Sequence, residues 1–144
     1  MSKPAPFPHR YTVTLAEGQL AAPPRPPIEV GPPPQFGGVD RTWSPEELLV
    51  GAALACLWTT FDAYARHDRL VIGGWSGSGT AVLDKGKPVP VFTSLTLAVT
   101  LVVAPGDEPR ARALLATAEQ RCIISNALKL PVALEVNVDS SRAA

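Results

Sequence analysis

A long apolar stretch that follows a strong helix-start signal limits the possible folds of this chain more than any other feature. Ser44 can cap a helix, Pro45 suits the first helical position, and Glu47 completes a capping box with Ser44. Aspartate and arginine become frequent only near the far end of the stretch, so the helix is predicted to reach about Arg66 or His67.

Apolar side chains cover almost the whole circumference of the first four turns of this helix. One stripe recurs at i+4 spacing, with an adjacent stripe beside it: Leu49, Ala53, Leu57 and Phe61, then Ala52, Cys56 and Thr60. A helix of this kind needs cover on nearly all sides, which one small domain hardly supplies. The pattern therefore predicts a homodimer.

The whole sequence has the length and charge of one ordinary domain. We expect a single domain over residues 1–144, with flexible tails at 1–9 and 139–144, that buries roughly two-thirds of its unfolded surface. The formal net charge is zero, which argues against nucleic acid or an anionic membrane as a partner. The N-terminus lacks a signal-peptide core, and the apolar run 48–58 is too short for a bilayer, so we expect a cytoplasmic protein.

The remaining elements predict an α+β fold with a mostly antiparallel sheet. A shorter helix is expected from Arg110 to about Cys122, ended by Ser125-Asn126 and Pro131. Alternating or β-branched segments predict five strands, of which the second is short. The predicted strands span residues 10–15, 28–30, 70–83, 89–103 and 132–138.

Cys56 and Cys122 are the only two cysteines, and each lies on a helix face expected to pack inward. They could fill the core, form a structural crosslink or act as a redox couple. A reducing cytoplasm disfavours a purely structural disulfide. A redox couple would need a thiolate at one cysteine, stabilised by a positive charge or a polar hydrogen. Such a thiolate attacks a peroxide O–O bond to give a sulfenic acid, which a second thiol converts to a disulfide.

Two other kinds of site find little support. A metal site would have to use the two cysteines with His9 and His67, but no Cys-x-x-Cys or His-x-x-His pair occurs. A hydrolase lacks a suitable base, because one histidine lies in a tail and the other at a helix end. We therefore expect neither a metal nor another cofactor.

Three segments together resemble the family of osmotically inducible and organic hydroperoxide resistance proteins, OsmC/Ohr. Pro45-Glu46 with Cys56 ten residues after the glutamate is similar to that family's reactive-cysteine helix. The segment Ala118…Cys122-Ile123-Ile124-Ser125-Asn126-Ala127 is similar to its second cysteine motif, and Phe36-Gly37-Gly38 to a glycine pair before the helix. The resemblance covers roughly residues 10–138.

The resemblance implies an OsmC-like fold, an intertwined dimer with long central helices and sites at the interface. It also implies a thiol peroxidase that reduces organic hydroperoxides, with an external dithiol or small thiol as reductant. Cys56 would be the peroxidatic thiol, Cys122 the resolving thiol, and Glu46 the carboxylate that orients an activating arginine. Ten helical residues span about 15 Å, so Glu46 would serve the Cys56 of the partner subunit. A solvated first-turn carboxylate is an equally good interpretation of Glu46.

Two positions differ from the hydroperoxide-resistance branch. Glu17-Gly18-Gln19 stands where that branch has a glycine-arginine step, and Arg10, Arg25 and Arg41 are the nearby alternatives. Ile123 follows the second cysteine where the branch usually has proline. Both differences suggest a distant subfamily.

A binding protein with the same fold is the main alternative to an enzyme. Such a dimer would hold a small apolar ligand in its interface groove, and Trp58, Phe61 and Trp75 could line that groove. The same aromatic residues could equally belong to the core. Thiol reactivity separates the two functions, because core thiols would be inert to peroxide.

Overall fold

The computed structural model describes residues 3–140. The chain divides into two compact units, Met1–Leu48 and Leu49–Ala144. The expectation of one domain remains a prediction. Residues 1–2 and 141–144 of the expected tails lie outside the described residues, while Asp139 and Ser140 belong to the last strand rather than to a tail.

The first unit is built on a small antiparallel sheet in the order β1-β2-β3. The strands are Thr14–Ala16, Gln19–Ala21 and Ile28–Glu29. Glu17 and Gly18 form the β1–β2 turn with φ of 51° and 74°, as a two-residue turn with both φ positive requires. The predicted first strand is therefore shorter than 10–15, and its hairpin partner β2 was not predicted.

Helix α1 spans Pro45–His67 and confirms the predicted bounds. Its capping box is formed as expected: the Glu47 N–H donates to Ser44 Oγ at 3.1 Å, and the Ser44 N–H donates to Glu47 Oε1 at 3.2 Å. By length and composition alone α1 could also cross a membrane, since an 18-residue window has a mean hydropathy of 1.5. Core helices of soluble proteins meet the same criterion, so this is weak evidence for a span.

Helix α1 is buried along one face only, not on nearly all sides. The buried stripe consists of Ala53, Leu57, Phe61 and Ala65. The opposite face exposes small residues, which are Gly51, Ala52, Ala55, Thr59 and Ala63. Among the described residues of one chain, nothing packs against this exposed face of α1.

The second unit carries a three-stranded sheet in the order β4-β5-β6, with β4 at Ile72–Asp84, β5 at Val91–Val103 and β6 at Val132–Ser140. β4 and β5 are antiparallel, as predicted, but β6 pairs with β5 in parallel. The expectation of antiparallel sheets is corrected at this strand. Two helices, α2 at Glu108–Gln120 and α3 at Ile123–Ala127, return the chain to the starting end of β5, which permits parallel pairing.

The core of the second unit lies on one face of this sheet. Alternate β5 residues from Leu95 to Val103 are buried and join the buried residues of α1 and α2 in one cluster. Gly79 lets α1 approach β4 closely, because a Cβ there would lie 2.6 Å from Val50 Cγ1. The other face of the sheet is exposed and more polar, with Ser76, Ser78, Glu135 and Asn137.

The second helical segment differs from the sequence prediction at its end. A single helix was expected to reach Cys122 and to end at Ser125-Asn126. Instead α2 ends at Gln120, Cys122 has an extended conformation with φ −65° and ψ 118°, and α3 begins at Ile123. Ser125 and Asn126 thus lie inside a short helix, and this break positions Cys122.

Candidate active site

Cys56 and Cys122 meet inside the second unit as two free thiols. Cys56 lies in the middle of α1 and is partly exposed, while Cys122 is completely buried between α2 and α3. The two thiols lie close enough for each to influence the pKa of the other. Sequence alone could not establish this contact between residues 66 positions apart.

The turn that carries Cys122 is held by the side chain of Asn126. Its Nδ2 donates to the Cys122 carbonyl at 2.8 Å and to the Gln120 carbonyl at 3.0 Å. These bonds occupy carbonyls that the end of α2 and the turn would otherwise leave without partners. Asn126 of the second cysteine motif therefore has a structural role, because it holds the turn on which the thiol lies.

The environment of Cys56 favours its thiolate. Burial raises the pKa of the Cys56 thiol, but hydrogen bonds from the Ile124 backbone, the Cys122 thiol, the Thr60 hydroxyl and the Ile123 backbone together lower it below its ordinary value. Thr60 Oγ1 lies 4.0 Å from the sulfur, one turn along α1. Within the second unit, none of the described groups that lower this pKa is an arginine.

The environment of Cys122 has the opposite effect. Burial raises the pKa of the Cys122 thiol, the adjacent Ser125 lowers it in part, and the neighbouring Cys56 raises it further. One thiol is therefore poised to ionise and its neighbour to stay protonated. This asymmetry is what an attacking thiolate and a later thiol donor require.

Glu46 is not brought to the thiols within the chain. It lies in the first turn of α1, ten residues before Cys56 on the same unbroken helix. Its Oε2 is shielded from solvent and has no hydrogen-bond partner among residues 3–140. Of the candidate arginines, Arg41 pairs with Glu29 at 2.5 Å inside the first unit.

The aromatic residues proposed for a groove separate into two groups. Phe61 is fully buried in the core, so it lines no groove. Trp58 and Trp75 pack with ring centroids 4.9 Å apart and planes tilted by 51°. They line a groove of about 640 Å³ with Leu54, Asp62 and Ile72. This groove lies between α1 and the start of β4. No cluster of three or more metal-ligating side chains occurs in the described part of the chain.

Sequence reasoning missed four groups that act on the two thiols: Thr60, Ile123, Ile124 and Ser125. Ser125 was quoted in the cysteine motif but had no predicted role. The two isoleucines act through backbone N–H groups, which side-chain identity does not reveal.

The family model described as OsmC-like protein matches residues 38–137, which include both cysteines and Glu46. The chain belongs to the OsmC-like family. No protein of curated function matches the chain significantly.

Solved structures of OsmC-like proteins share the fold at low sequence identity. An OsmC-like protein of unknown function from Vibrio cholerae is 18% identical, with a TM-score of 0.72 over 83% of this chain and 82% of that one. An organic hydroperoxide resistance protein from Elizabethkingia anophelis is 18% identical, with a TM-score of 0.71 over 92% and 99%. One from Legionella pneumophila is 19% identical, with a TM-score of 0.66 over 90% and 97%. The predicted family and the α+β OsmC-like fold are confirmed, whereas the intertwined dimer stays a prediction.

Proposed function

We propose that this OsmC-like protein is a thiol-dependent peroxidase that reduces organic hydroperoxides through Cys56 and Cys122. The proximity of Cys56, whose thiol pKa is lowered, to the buried Cys122, whose thiol pKa is raised, carries the proposal. Solved structures of the same fold that are described as organic hydroperoxide resistance proteins support the substrate class.

In the first step the Cys56 thiolate attacks the terminal peroxide oxygen. An S–O bond forms, the O–O bond breaks, and the alkoxide leaves and takes up a proton as the alcohol. Hydrogen bonds from Thr60, Ile123, Ile124 and Cys122 stabilise the thiolate before attack. These hydrogen-bond donors thus supply part of the thiolate stabilisation that an arginine would provide.

In the second step the Cys122 thiol attacks the sulfur of the Cys56 sulfenic acid. An S–S bond forms and one water molecule leaves, so the sulfenic sulfur is reduced and the thiol oxidised. The two thiols are near enough to influence each other's pKa, so we expect bond formation to need only a local movement. An external dithiol or small thiol then restores both thiols by exchange.

We infer that Glu46 orients an arginine in a homodimer, as the resemblance implies. Its Oε2 is shielded from solvent and lacks a hydrogen-bond partner among the described residues. A cationic side chain from outside the chain would satisfy this oxygen. We infer that a second copy of the chain completes this part of the site, in the cytoplasm.

Turnover of cumene hydroperoxide with a dithiol reductant tests the proposal. Cys56→Ser should abolish peroxide consumption, whereas Cys122→Ser should allow one oxidation to a sulfenic acid that dimedone traps. The exposed Ser78→Ala variant is the matched control and should retain full turnover. Wild-type protein that consumes peroxide no faster than Cys56→Ser would contradict the proposal.

The Trp58–Trp75 groove supports a second candidate, the binding of a small apolar ligand without catalysis. Quenching of tryptophan fluorescence by alkyl alcohols or fatty acids would detect binding. Saturable quenching in a protein whose thiols are inert to peroxide would favour this function over the peroxidase.

A further inference from the structure

An arginine that the proposed peroxidase steps do not use directly precedes the buried Cys122. Arg121 is the residue that caps the end of α2. Its Nη1 donates to the Tyr64 hydroxyl of α1 at 3.2 Å, and its guanidinium carbon lies 5.8 Å from the centroid of the Tyr64 ring. The hydrogen bond and the ring contact together hold this cation in one place against α1.

The Arg121–Tyr64 pair has hydrogen-bond donors available for an anion. A guanidinium carries five N–H donors, and the tyrosine hydroxyl that accepts one of them still has its own proton to donate. Arg121 forms no ion pair with any carboxylate of residues 3–140. The carboxylate nearest in sequence, Glu119, has its Oε2 shielded from solvent and unpartnered. A planar guanidinium with free donors matches a carboxylate, which accepts two parallel hydrogen bonds.

Tyr64 and Cys56 lie on the same side of α1. Cys56, Thr60 and Tyr64 follow one another at i+4 spacing, and all three are partly buried. Thr60 Oγ1 lies 4.0 Å from the Cys56 sulfur, and Tyr64 is one turn further along. Eight helical residues separate the Cα atoms of Cys56 and Tyr64 by about 12 Å. A molecule that reacts at Cys56 and extends along this row therefore meets the Arg121 guanidinium at its far end.

We propose that the Arg121–Tyr64 pair binds the carboxylate of a long-chain acid whose reactive group lies at Cys56. The Arg121 guanidinium forms the ion pair, and the Tyr64 hydroxyl and ring hold the guanidinium in place. Arg121 is then a specificity-determining residue, which distinguishes acids from neutral molecules of the same length. The acid is either the hydroperoxide or the thiol reductant. Its place in the peroxidase cycle rests on the proposed function, but binding of a carboxylate near Cys56 does not.

Formation of a mixed disulfide measures this selection without any peroxide. Cys56 is the accessible thiol. It attacks the alkyl sulfur of a pyridyl alkyl disulfide, a new S–S bond forms, and the pyridine thiolate leaves and takes up a proton as the coloured thione. Two probes are the pyridyl disulfides of mercaptoundecanoic acid and of its primary amide, which match in length and differ in charge. The pyridyl disulfide of mercaptopropionic acid is a third probe, too short to reach Arg121 from Cys56.

Wild-type protein should react with the long acid about three- to fivefold faster than with its amide, the factor that an exposed ion pair typically gives. Arg121→Gln should lower the rate with the long acid to that with the amide. Arg121→Lys should keep part of the preference, and Tyr64→Phe should weaken it. The rate with the short acid should not depend on Arg121. Arg112→Gln is the matched control, because it removes an exposed arginine of α2 and changes the net charge equally, and it should keep the wild-type preference.

A preference for the long acid that survives in Arg121→Gln, or that is absent from the wild-type protein, would overturn the proposal. Equal slowing of the acid and the amide in Arg121→Gln would also overturn it, since that result indicates a structural role of the side chain. Loss of the preference in Arg112→Gln would overturn it too, because the net charge of the protein would then explain the selection.

Turnover then shows which reactant is the acid. The hydroperoxide of linoleic acid is compared with that of its methyl ester as oxidant, and mercaptoundecanoic acid with its amide as reductant. A preference for the acid that Arg121→Gln removes in the first pair identifies the oxidant, and in the second pair the reductant. Its absence from both pairs would overturn the role of the site in turnover. If the disulfide probes behave as expected but peroxide leaves the wild-type thiols intact, the peroxidase function fails and the carboxylate site stands.

Discussion

Ile123 shows how one residue can change the chemistry of a neighbouring thiol through its backbone. Its N–H is one of the groups that lower the pKa of Cys56. Proline, which the hydroperoxide-resistance branch usually has there, carries no N–H and could not act in this way. The amide at position 123 thus adds a donor in a chain that lacks the expected glycine-arginine step.

Substitution of Ile123 by proline should raise the pKa of Cys56 and slow its alkylation near neutral pH. The change should be accepted by the fold, because Ile123 is the first residue of α3 and Cys122 already has the extended conformation that precedes proline. The measurement is the rate of iodoacetamide alkylation of Cys56 against pH. Ile123→Val, which keeps the N–H, is the control, and an unchanged midpoint in Ile123→Pro would contradict the role of this amide.

The sequence predicted which two thiols form the site, but not the groups that surround them. The spacing of Pro45-Glu46 and Cys56 and the motif around Cys122 indicated the two thiols by resemblance. The amides of Ile123 and Ile124, by contrast, depend on the break between α2 and α3. The sequence predicted the end of the helix at Ser125-Asn126, whereas the helix is already interrupted at Cys122, where the Asn126 side chain bonds the freed carbonyls.

At the scale of elements, the close approach of α1 to β4 depends on glycine. Gly79 lies opposite Leu97 in the sheet and beneath Val50 of α1. A side chain there would force Val50 on α1, the helix that carries Cys56, to shift.

Gly79→Ala should therefore destabilise the protein by about 1–3 kcal/mol, as overpacking of a core usually does. Denaturant unfolding followed by circular dichroism measures the change. Thr80→Val, which alters the exposed neighbour on the other face of β4, should stay within about 0.5 kcal/mol of wild type. Wild-type stability in Gly79→Ala would mean that the packing of α1 on β4 is looser than described.

The bounds of α1 could be predicted from local sequence, because the capping box and the apolar stripe lie within one continuous segment. The direction of β6 could not be predicted from local signals. Its alternating residues suit either orientation, and only the path of α2 and α3 decides that it runs parallel to β5. Phe61 and Trp58 were likewise indistinguishable as core or groove residues until the helix faces were known.

At the scale of the whole molecule, the second face of α1 is what favours a dimer. Small side chains at Gly51, Ala55 and Thr59 remain exposed in one chain. Small residues allow two helices to approach closely, and covering this face would remove its apolar surface from water.

Sedimentation should therefore give a dimer of twice 15.2 kDa for the wild-type protein at micromolar concentration. Ala55→Arg should shift the mass to that of one chain with secondary structure retained, because a long charged side chain cannot be accommodated at a close helix contact. Lys85→Ala, in the β4–β5 turn, should leave the dimer intact. A monomeric wild type, or a dimer unaffected by Ala55→Arg, would contradict this interface.

The intact mass and free-thiol count of the reduced protein after one equivalent of cumene hydroperoxide test the central proposal most directly. We expect a loss of about two mass units with both thiols consumed, as disulfide formation requires, and no such loss in Cys56→Ser. Survival of both thiols in the wild-type protein would contradict the assignment of Cys56 and Cys122 as a peroxidatic and resolving pair.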